Sequence, residues 1–327
     1  MRILNKIASV FVSSLLALPF LVGGPQANSR AQNPTEQTTA RGIQLYEQGD
    51  GPEAIRLLQV IVKQHPKDAD AWYYLGLAFY KEGRIGAARP AFERLLELRP
   101  NSADANAKLS YALILAGEPV KAMSTAEHAI ELGDQSAEPH YALAEASLNF
   151  RVRKSDKAVE EADRALALNH GFFPALVTKS LAQYSLKQYA EAAISLEQFL
   201  ALNPEDFDAA TWRGQLEELS SLANPGSNPS TQVFGTREVT QKARVLSKPE
   251  PAYSEAARKA GVTGTVVIRA IFAADGEVKH IIIVRALGYG LTTQAVKAAR
   301  RIKFEPAIKD GQPVSALLQL EYNFNLY

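Results

Sequence analysis

The 327-residue sequence predicts a multidomain chain with two folded parts of different class: an all-α solenoid of helical repeats over residues 35–222, then a small α+β domain over residues 236–327. Three observations carry this reading. Small and apolar residues recur with a period of 34 from Thr35 to Asp206. The run Asn224–Gln232, NPGSNPSTQ, has no periodicity and is rich in Pro, Gly and Ser. Beyond it the apolar residues alternate every second position, the period of a strand with one buried face.

The repeats begin near Thr35, Ala69, Ala103, Ala137 and Phe173. The second is the most complete, with Trp72, Leu75, Gly76, Phe79, Ala88, Phe92, Leu95 and Pro100. The others keep subsets: Gly42, Ala54 and Pro66; Leu109, Ala122 and Ala129; Leu143, Ala158 and Ala165; Ala192, Phe199 and Pro204. The spacing has a physical cause. Each unit reads as two antiparallel helices, with small residues where the backbones cross and large ones filling the seam to the next unit. No unit can bury its apolar face alone, so stacking supplies the core. Two extra residues around Arg151–Ser155 fall between the helices of the fourth unit. Phe207–Leu222 reads as a capping helix with Trp212, Leu216 and Leu219 on its inner stripe. This pattern resembles the tetratricopeptide repeat over about half the chain. The resemblance implies that the first helix of each unit lines a concave groove, which places Tyr46, Tyr73, Tyr80, Tyr111, Tyr141 and Tyr184 there. They form either an aromatic trough for a partner peptide or a packed lining with wet hydroxyls.

Ahead of the repeats, Arg2 and Lys6 precede an apolar run from Ile7 to Val22, broken by Gly23, Gly24 and Pro25 and followed by small-x-small sites at Ala27–Ser29 and Ser29–Ala31. This is the layout of a secretory signal over residues 1–31. A run of this length, containing Pro19, is short for a membrane anchor, which needs roughly 20 residues. The expected location is the periplasm, either soluble after cleavage or tethered to the inner membrane by residues 7–22. With no cysteine, disulfides, thiolate metal sites and cysteine nucleophiles are excluded. Charge is uneven. Residues 32–235 hold 19 Lys+Arg against 27 Asp+Glu, a net of −8, and residues 236–327 hold 14 against 8, a net of +6. An acidic body with a basic tail domain suggests different partners for the two, or each other. The overall charge of +1 gives no signal for nucleic acid.

Residues 223–235 are expected to be a flexible linker, spanning about 15–20 Å on average and letting the last domain swing. In that domain Pro249-Glu-Pro251 sets an extended lead-in. Ser254 caps a short helix, Glu255–Ala260, which Gly261 ends. Val266, Ile268, Ala270 and Phe272 mark a strand, Asp275-Gly276 a tight turn, and Val278–Val284 the returning strand. Gly288-Tyr-Gly290 is a loop. Leu291, Ala295, Val296, Ala299 and Ile302 are the apolar stripe of a second helix whose exposed side is basic: Lys297, Arg300, Arg301 and Lys303. Lys309-Asp-Gly311 turns into a last strand. There Ala316, Leu318, Leu320, Tyr322, Phe324 and Leu326 point one way, and Leu317, Gln319, Glu321, Asn323 and Asn325 the other. The expected unit is a three-stranded antiparallel sheet with a helix packed on one face.

This domain resembles the C-terminal domain of TonB-family proteins. The resemblance is carried by Pro251-Ala-Tyr253 with Ala256-Ala257-Arg258, Gly261-Val-Thr-Gly264-Thr-Val266, Asp275-Gly276-Glu-Val278, Ala295–Arg301, Lys303-Phe304-Glu-Pro306-Ala307 and Gly311-Gln-Pro313-Val314. Ser254 and Ile302 depart from it, where the family often has Pro and Trp. The resemblance implies capture of an extended segment of an outer-membrane receptor. The segment adds a strand to the sheet, so main-chain hydrogen bonds supply the affinity. The edge offered is the last strand, through Ser315, Leu317, Gln319, Glu321, Asn323 and Asn325, while the basic side of the helix suits acidic receptor surfaces. It further implies energised transport driven by an inner-membrane proton-driven motor complex, though the apolar run lacks the family's histidine and the long Pro-rich rod is missing. The competing reading is a periplasmic adaptor or assembly protein that binds partners through its repeats, with the last domain a passive anchor. An open edge also allows two copies to pair as a homodimer.

No catalytic constellation is visible. His65, His128, His140, His170 and His280 are isolated, Gly288-Tyr-Gly290 lacks the setting of a dinucleotide loop, and the pairs Glu160-Glu161 and Glu217-Glu218 lie on solvated faces. The expectation is a non-enzymatic protein without cofactor or metal.

Overall fold

The computed structural model describes residues 34–148, 154–224 and 232–326. The expected signal segment, most of the insertion after Leu148 and most of the Pro/Gly-rich run lie outside these residues. The repeats form five antiparallel helix pairs. They are α1 (Pro34–Glu47) with α2 (Gly51–Gln64), α3 (Ala69–Lys81) with α4 (Ile85–Leu98), α5 (Ala103–Leu115) with α6 (Pro119–Glu131), α7 (Ala137–Leu148) with α8 (Ser155–Leu168), and α9 (Pro174–Ser185) with α10 (Tyr189–Leu202). A last helix, α11 (Ala209–Ala223), closes the stack. The repeat's regular spacing shows its cause at Gly76. A Cβ there would sit 2.6 Å from the Phe92 ring, so glycine on α3 lets that fully buried ring of α4 fill the crossing. Aspartates 50 and 68 cap α2 and α3 by accepting from the Glu53 and Ala71 amides. Among the described residues no helix is long and apolar enough to cross a membrane.

The terminal domain contains β1 (Val233–Phe234), β2 (Arg244–Ser247), α12 (Glu255–Ala260), β3 (Gly264–Phe272), β4 (Val278–Arg285), α13 (Leu291–Ala299), β5 (Lys303–Glu305), β6 (Ala307–Lys309) and β7 (Gln312–Phe324). As the sequence predicts, Ser254 caps α12 by accepting from the Ala257 amide, and Gly261 ends it in the left-handed region at φ 72°. Three long antiparallel strands make the main sheet, with β3 between β7 and β4 and a register running from Gly264↔Phe324 to Phe272↔Ala316. Two short additions go beyond the expected three strands. The β1 strand pairs parallel with β7, Val233↔Ser315 and Phe234↔Ala316, and β6 folds back on the start of β7. A separate two-stranded sheet joins β2 to β5. One face of the main sheet buries Ile268, Phe272, Leu320, Tyr322 and Phe324 beneath Ala257, Leu291 and Ala295 of the two helices.

Against the expectation of a swinging module, the terminal domain is seated in the repeat array. One continuous core runs from Ile85, Leu115, Leu176 and Trp212 of the array into Val262, Ile283 and Leu291 of the domain.

Candidate functional site

The sheet has two outer strands, and they meet different surroundings. At β4, the side-chain amide of Gln215 on α11 acts as a substitute peptide. It accepts from the Ile283 amide at 2.8 Å and donates to the Ile283 carbonyl at 3.2 Å. Both main-chain groups of Ile283, which would otherwise be open to another strand, are satisfied, and Gln215 itself is buried. Beside it, His280 meets Glu218 at 3.1 Å.

Four further contacts seat the domain. Asp208 stands in the N-cap position of α11 but makes no cap bond there. Its carboxylate instead accepts from the Gly290 and Thr293 amides, 3.0 and 2.8 Å away, capping α13 across the domain boundary. Burial raises the pKa of Asp208, against the hydrogen bonds from Thr293 and Gly290. Thr211 and Thr293 share a 2.7 Å bond between hydroxyls. The Thr263 amide and hydroxyl donate to the Leu115 and Ala116 carbonyls, at 2.7 and 2.8 Å. Gly86 and Gly261 touch backbone to backbone: a Cβ on Gly261 would lie 2.8 Å from the Gly86 Cα.

The groove tyrosines divide accordingly. Tyr80, Tyr111 and Tyr141 form a run of rings with Phe172, and Tyr289 of the domain packs into the same region beside Tyr111 and Tyr141. Tyr289 takes a left-handed φ of 61°, a strained conformation for a tyrosine, held here because its loop is clamped. Burial raises the pKa of Tyr184, and the positive charge of Arg269 on β3 works against that rise. Tyr46 and Tyr73 lie beyond the domain. Tyr73 donates to Asp104 at 2.9 Å, and Lys108 bridges Asp104 and Glu138 at 3.1 and 3.5 Å. The chain's own last domain thus lies against this part of the aromatic trough, with a cavity of about 290 Å³ left between Tyr111, Tyr141 and Tyr289.

At the other outer strand, β7, the groups differ. β1 covers Ser315 and Ala316 only, and Ser315 is itself buried, with its hydroxyl accepting from the Ala274 amide. From Leu317 onward no strand lies outside β7 among the described residues. The Lys248 ammonium reaches the Glu321 carbonyl at 2.6 Å, which shows that this carbonyl points away from β3. By the two-residue period of a strand, the main-chain groups of Leu317, Gln319, Glu321 and Asn323 share that outward direction. Their side chains are exposed, while Ala316, Leu320, Tyr322 and Phe324 are buried. Asn325 is exposed just past the strand's end.

Comparisons with known proteins match the two parts of the chain to different families. Residues 249–326 match the model of the Gram-negative bacterial TonB protein C-terminal domain. Residues 39–89, 79–147 and 177–222 match tetratricopeptide repeat models. The terminal unit is a TonB C-terminal domain on a tetratricopeptide array. Protein TonB of Vibrio cholerae serotype O1 is 28% identical over 110 residues, 31% of this chain and 45% of that protein, so the chain spans less than half of that relative's length. Among solved structures, a MamA protein is 22% identical, covering 54% of this chain and 94% of its own, with TM-score 0.42. The type IV pilus biogenesis factor PilW is 17% identical, covering 60% and 96%, with TM-score 0.43.

In the TonB-type domain the basic surface differs from expectation. The helix α13 ends at Ala299, so only Lys297 lies on it. Arg300 and Arg301 sit in the following turn, and Lys303 belongs to β5, drawn into pairing with β2 where Arg244 and Glu305 make a two-bonded ion pair at 2.9 and 2.6 Å. Sequence reasoning does not find Asp208, Gln215, Thr263 or Tyr289. Only Gln215 carries a signal, as a polar residue one position from the apolar stripe of the capping helix. The histidines stay apart. His140 pairs with buried Glu161 at 2.7 Å, and no group of His, Asp or Glu among the described residues could hold a metal ion.

Proposed function

We propose that this is a periplasm-facing TonB-like protein that takes part in energised transport across the outer membrane. Its terminal domain binds an extended segment of an outer-membrane receptor as an added strand. The single observation that carries the reading is the outer side of β7 from Leu317 to Asn323, where outward main-chain groups meet no partner strand. Strand addition needs this arrangement, because backbone hydrogen bonds supply affinity and alternate side chains supply specificity. β1 lies on the same edge in parallel orientation, an internal example of such pairing. The tetratricopeptide repeats are the protein-interaction scaffold, and one of their partners is the domain they carry. The polar, unblunted stretch of β7 stays accessible because the seat engages β4 and the 261–264 and 287–290 loops instead.

The test is Gln319→Pro. Proline removes an outward amide and leaves the bonds from β7 to β3 in place, so the domain keeps its fold. Binding to the N-terminal segments of the organism's outer-membrane receptors should fall below detection by calorimetry. Undiminished binding by a folded variant overturns strand addition at β7.

A further inference from the structure

Between α4 and the end of α12 lies a cleft of about 560 Å³. Ten residues line it, four of them basic and none acidic: Arg84 and Arg89 from the array, Arg258 and Lys259 from the terminal domain. Arg89 is occupied, bonded to Glu93 at 2.7 Å and Glu118 at 2.5 Å. The other three keep their charge available. Arg84 stacks on the Phe79 ring, 4.7 Å from its centroid, and Arg258 lies over Tyr253 at 5.4 Å, so both stems are braced while the guanidinium edges stay in solvent. Arg258 has only the loose, exposed Glu255 at 3.6 Å. Among the described residues Arg84 and Lys259 form no ion pair. The first turn of α4, which opens into the same cleft, contains no acidic residue. The Gly86–Gly261 contact brings these cations together, because any side chain at either position would hold the two elements apart.

The cleft also has a defined position relative to β7. Thr263, just before β3 begins, and Leu326, just after β7 ends, are both in its lining. A strand added to β7 parallel to β1 runs from Leu317 towards Asn323, and the partner residues C-terminal to that strand leave the sheet at this cleft.

We propose that the receptor segment carries acidic residues directly C-terminal to its paired stretch, and that these enter the basic cleft formed jointly by the array and the terminal domain. This rests on strand addition at β7 and adds the chemistry and direction of the partner. It also assigns the array a part in recognition: Arg84 belongs to the second repeat, so an isolated terminal domain lacks part of the site. Two or three partly shielded charge pairs give selectivity that salt weakens.

The experiment uses the whole protein and labelled synthetic peptides, read by fluorescence anisotropy at low and physiological salt. Each peptide has seven alternating valines and threonines. One is followed by three glutamates, one by three serines, and one has the glutamates in front. The glutamate-tailed peptide should bind about tenfold tighter than the serine-tailed one. Arg84→Glu with Lys259→Glu should abolish that difference and leave the serine-tailed affinity unchanged. Lys259→Glu alone, at an exposed helix position, should remove part of it. Equal binding of glutamate- and serine-tailed peptides overturns the cleft assignment and leaves strand addition standing. Equal binding with the glutamates in front overturns the direction. Failure of all three peptides sinks strand addition and this inference together. Phosphatidylglycerol vesicles bound through Arg84 and Lys259, without preference among the peptides, would assign the cleft to a membrane surface and overturn the proposal.

Discussion

The two outer strands of the terminal sheet have the same backbone chemistry and opposite treatment. On β4 a buried glutamine from the array occupies the Ile283 amide and carbonyl. On β7 the outward groups from Leu317 to Asn323 meet one lysine, Lys248, and no strand. An unpaired edge invites aggregation unless it is covered, charged or shortened. Here the array covers the β4 edge, and the β7 edge is covered only at Ser315 and Ala316, by β1. The array therefore does more than carry the domain: it determines which edge is available, and that makes the sheet one-sided as a binding surface.

The largest test of this asymmetry is at the glycine contact. Gly261→Ala forces a Cβ into a left-handed position and to within 2.8 Å of the Gly86 Cα. It should cost about 2–4 kcal/mol in chemical denaturation. Gly86→Ala, in an ordinary helical conformation, makes the same clash without the strain and should cost about 1–3 kcal/mol. In both, hydrogen exchange should rise at β4 and in the 287–290 loop while the β3–β7 ladder stays protected. If β7 loses protection first, the edges are not independently held.

Gln215→Leu comes next. It keeps the size and removes the substitute peptide, leaving the Ile283 amide and carbonyl buried without partners. The expected loss is about 1–3 kcal/mol. The Ile283 amide should exchange faster than its neighbours in β4. An unchanged exchange rate would mean that water or another group closes this edge equally well.

How much of this can be read in the sequence depends on the range of the interaction. The repeats are legible because their period is written into the chain and each unit satisfies itself against the next. Ser254, Gly261 and the Asp275-Gly276 turn are legible because a cap or a turn is decided within four residues. The alternation of β7 is legible for the same reason. Asp208 is not, because an aspartate before a helix reads as that helix's own cap, and only the fold shows it capping α13 instead. Nor is β1, whose two residues carry no pattern and gain their strand character from Ser315 and Ala316 across the sheet. Lys303 reads as helical because the apolar stripe continues to Ile302. Pairing with β2 ends the helical turn earlier and takes Lys303 into β5.

The smallest effect concerns Asp208, and it can be separated by pH. Asp208→Ala removes the acceptor for the Gly290 and Thr293 amides and should cost about 1–2 kcal/mol near neutral pH. Asp208→Asn keeps one acceptor oxygen and should recover part of that. Burial holds the Asp208 pKa above its ordinary 3.8, with Asp206 adding repulsion, so the seated form binds a proton more readily than the unfolded chain. Ionisation at neutral pH therefore carries a cost that protonation removes. As pH falls through the raised pKa, this contribution should favour the folded wild type, and below the unfolded value of 3.8 it should level off. The asparagine variant has no such proton to bind. Stability measured by denaturant titration from pH 7 to pH 4 should thus shift in favour of wild type relative to Asp208→Asn. The opposite slope would mean that the charged hydrogen bonds to α13 outweigh burial, and that the seat on the β4 side weakens with acid rather than tightening.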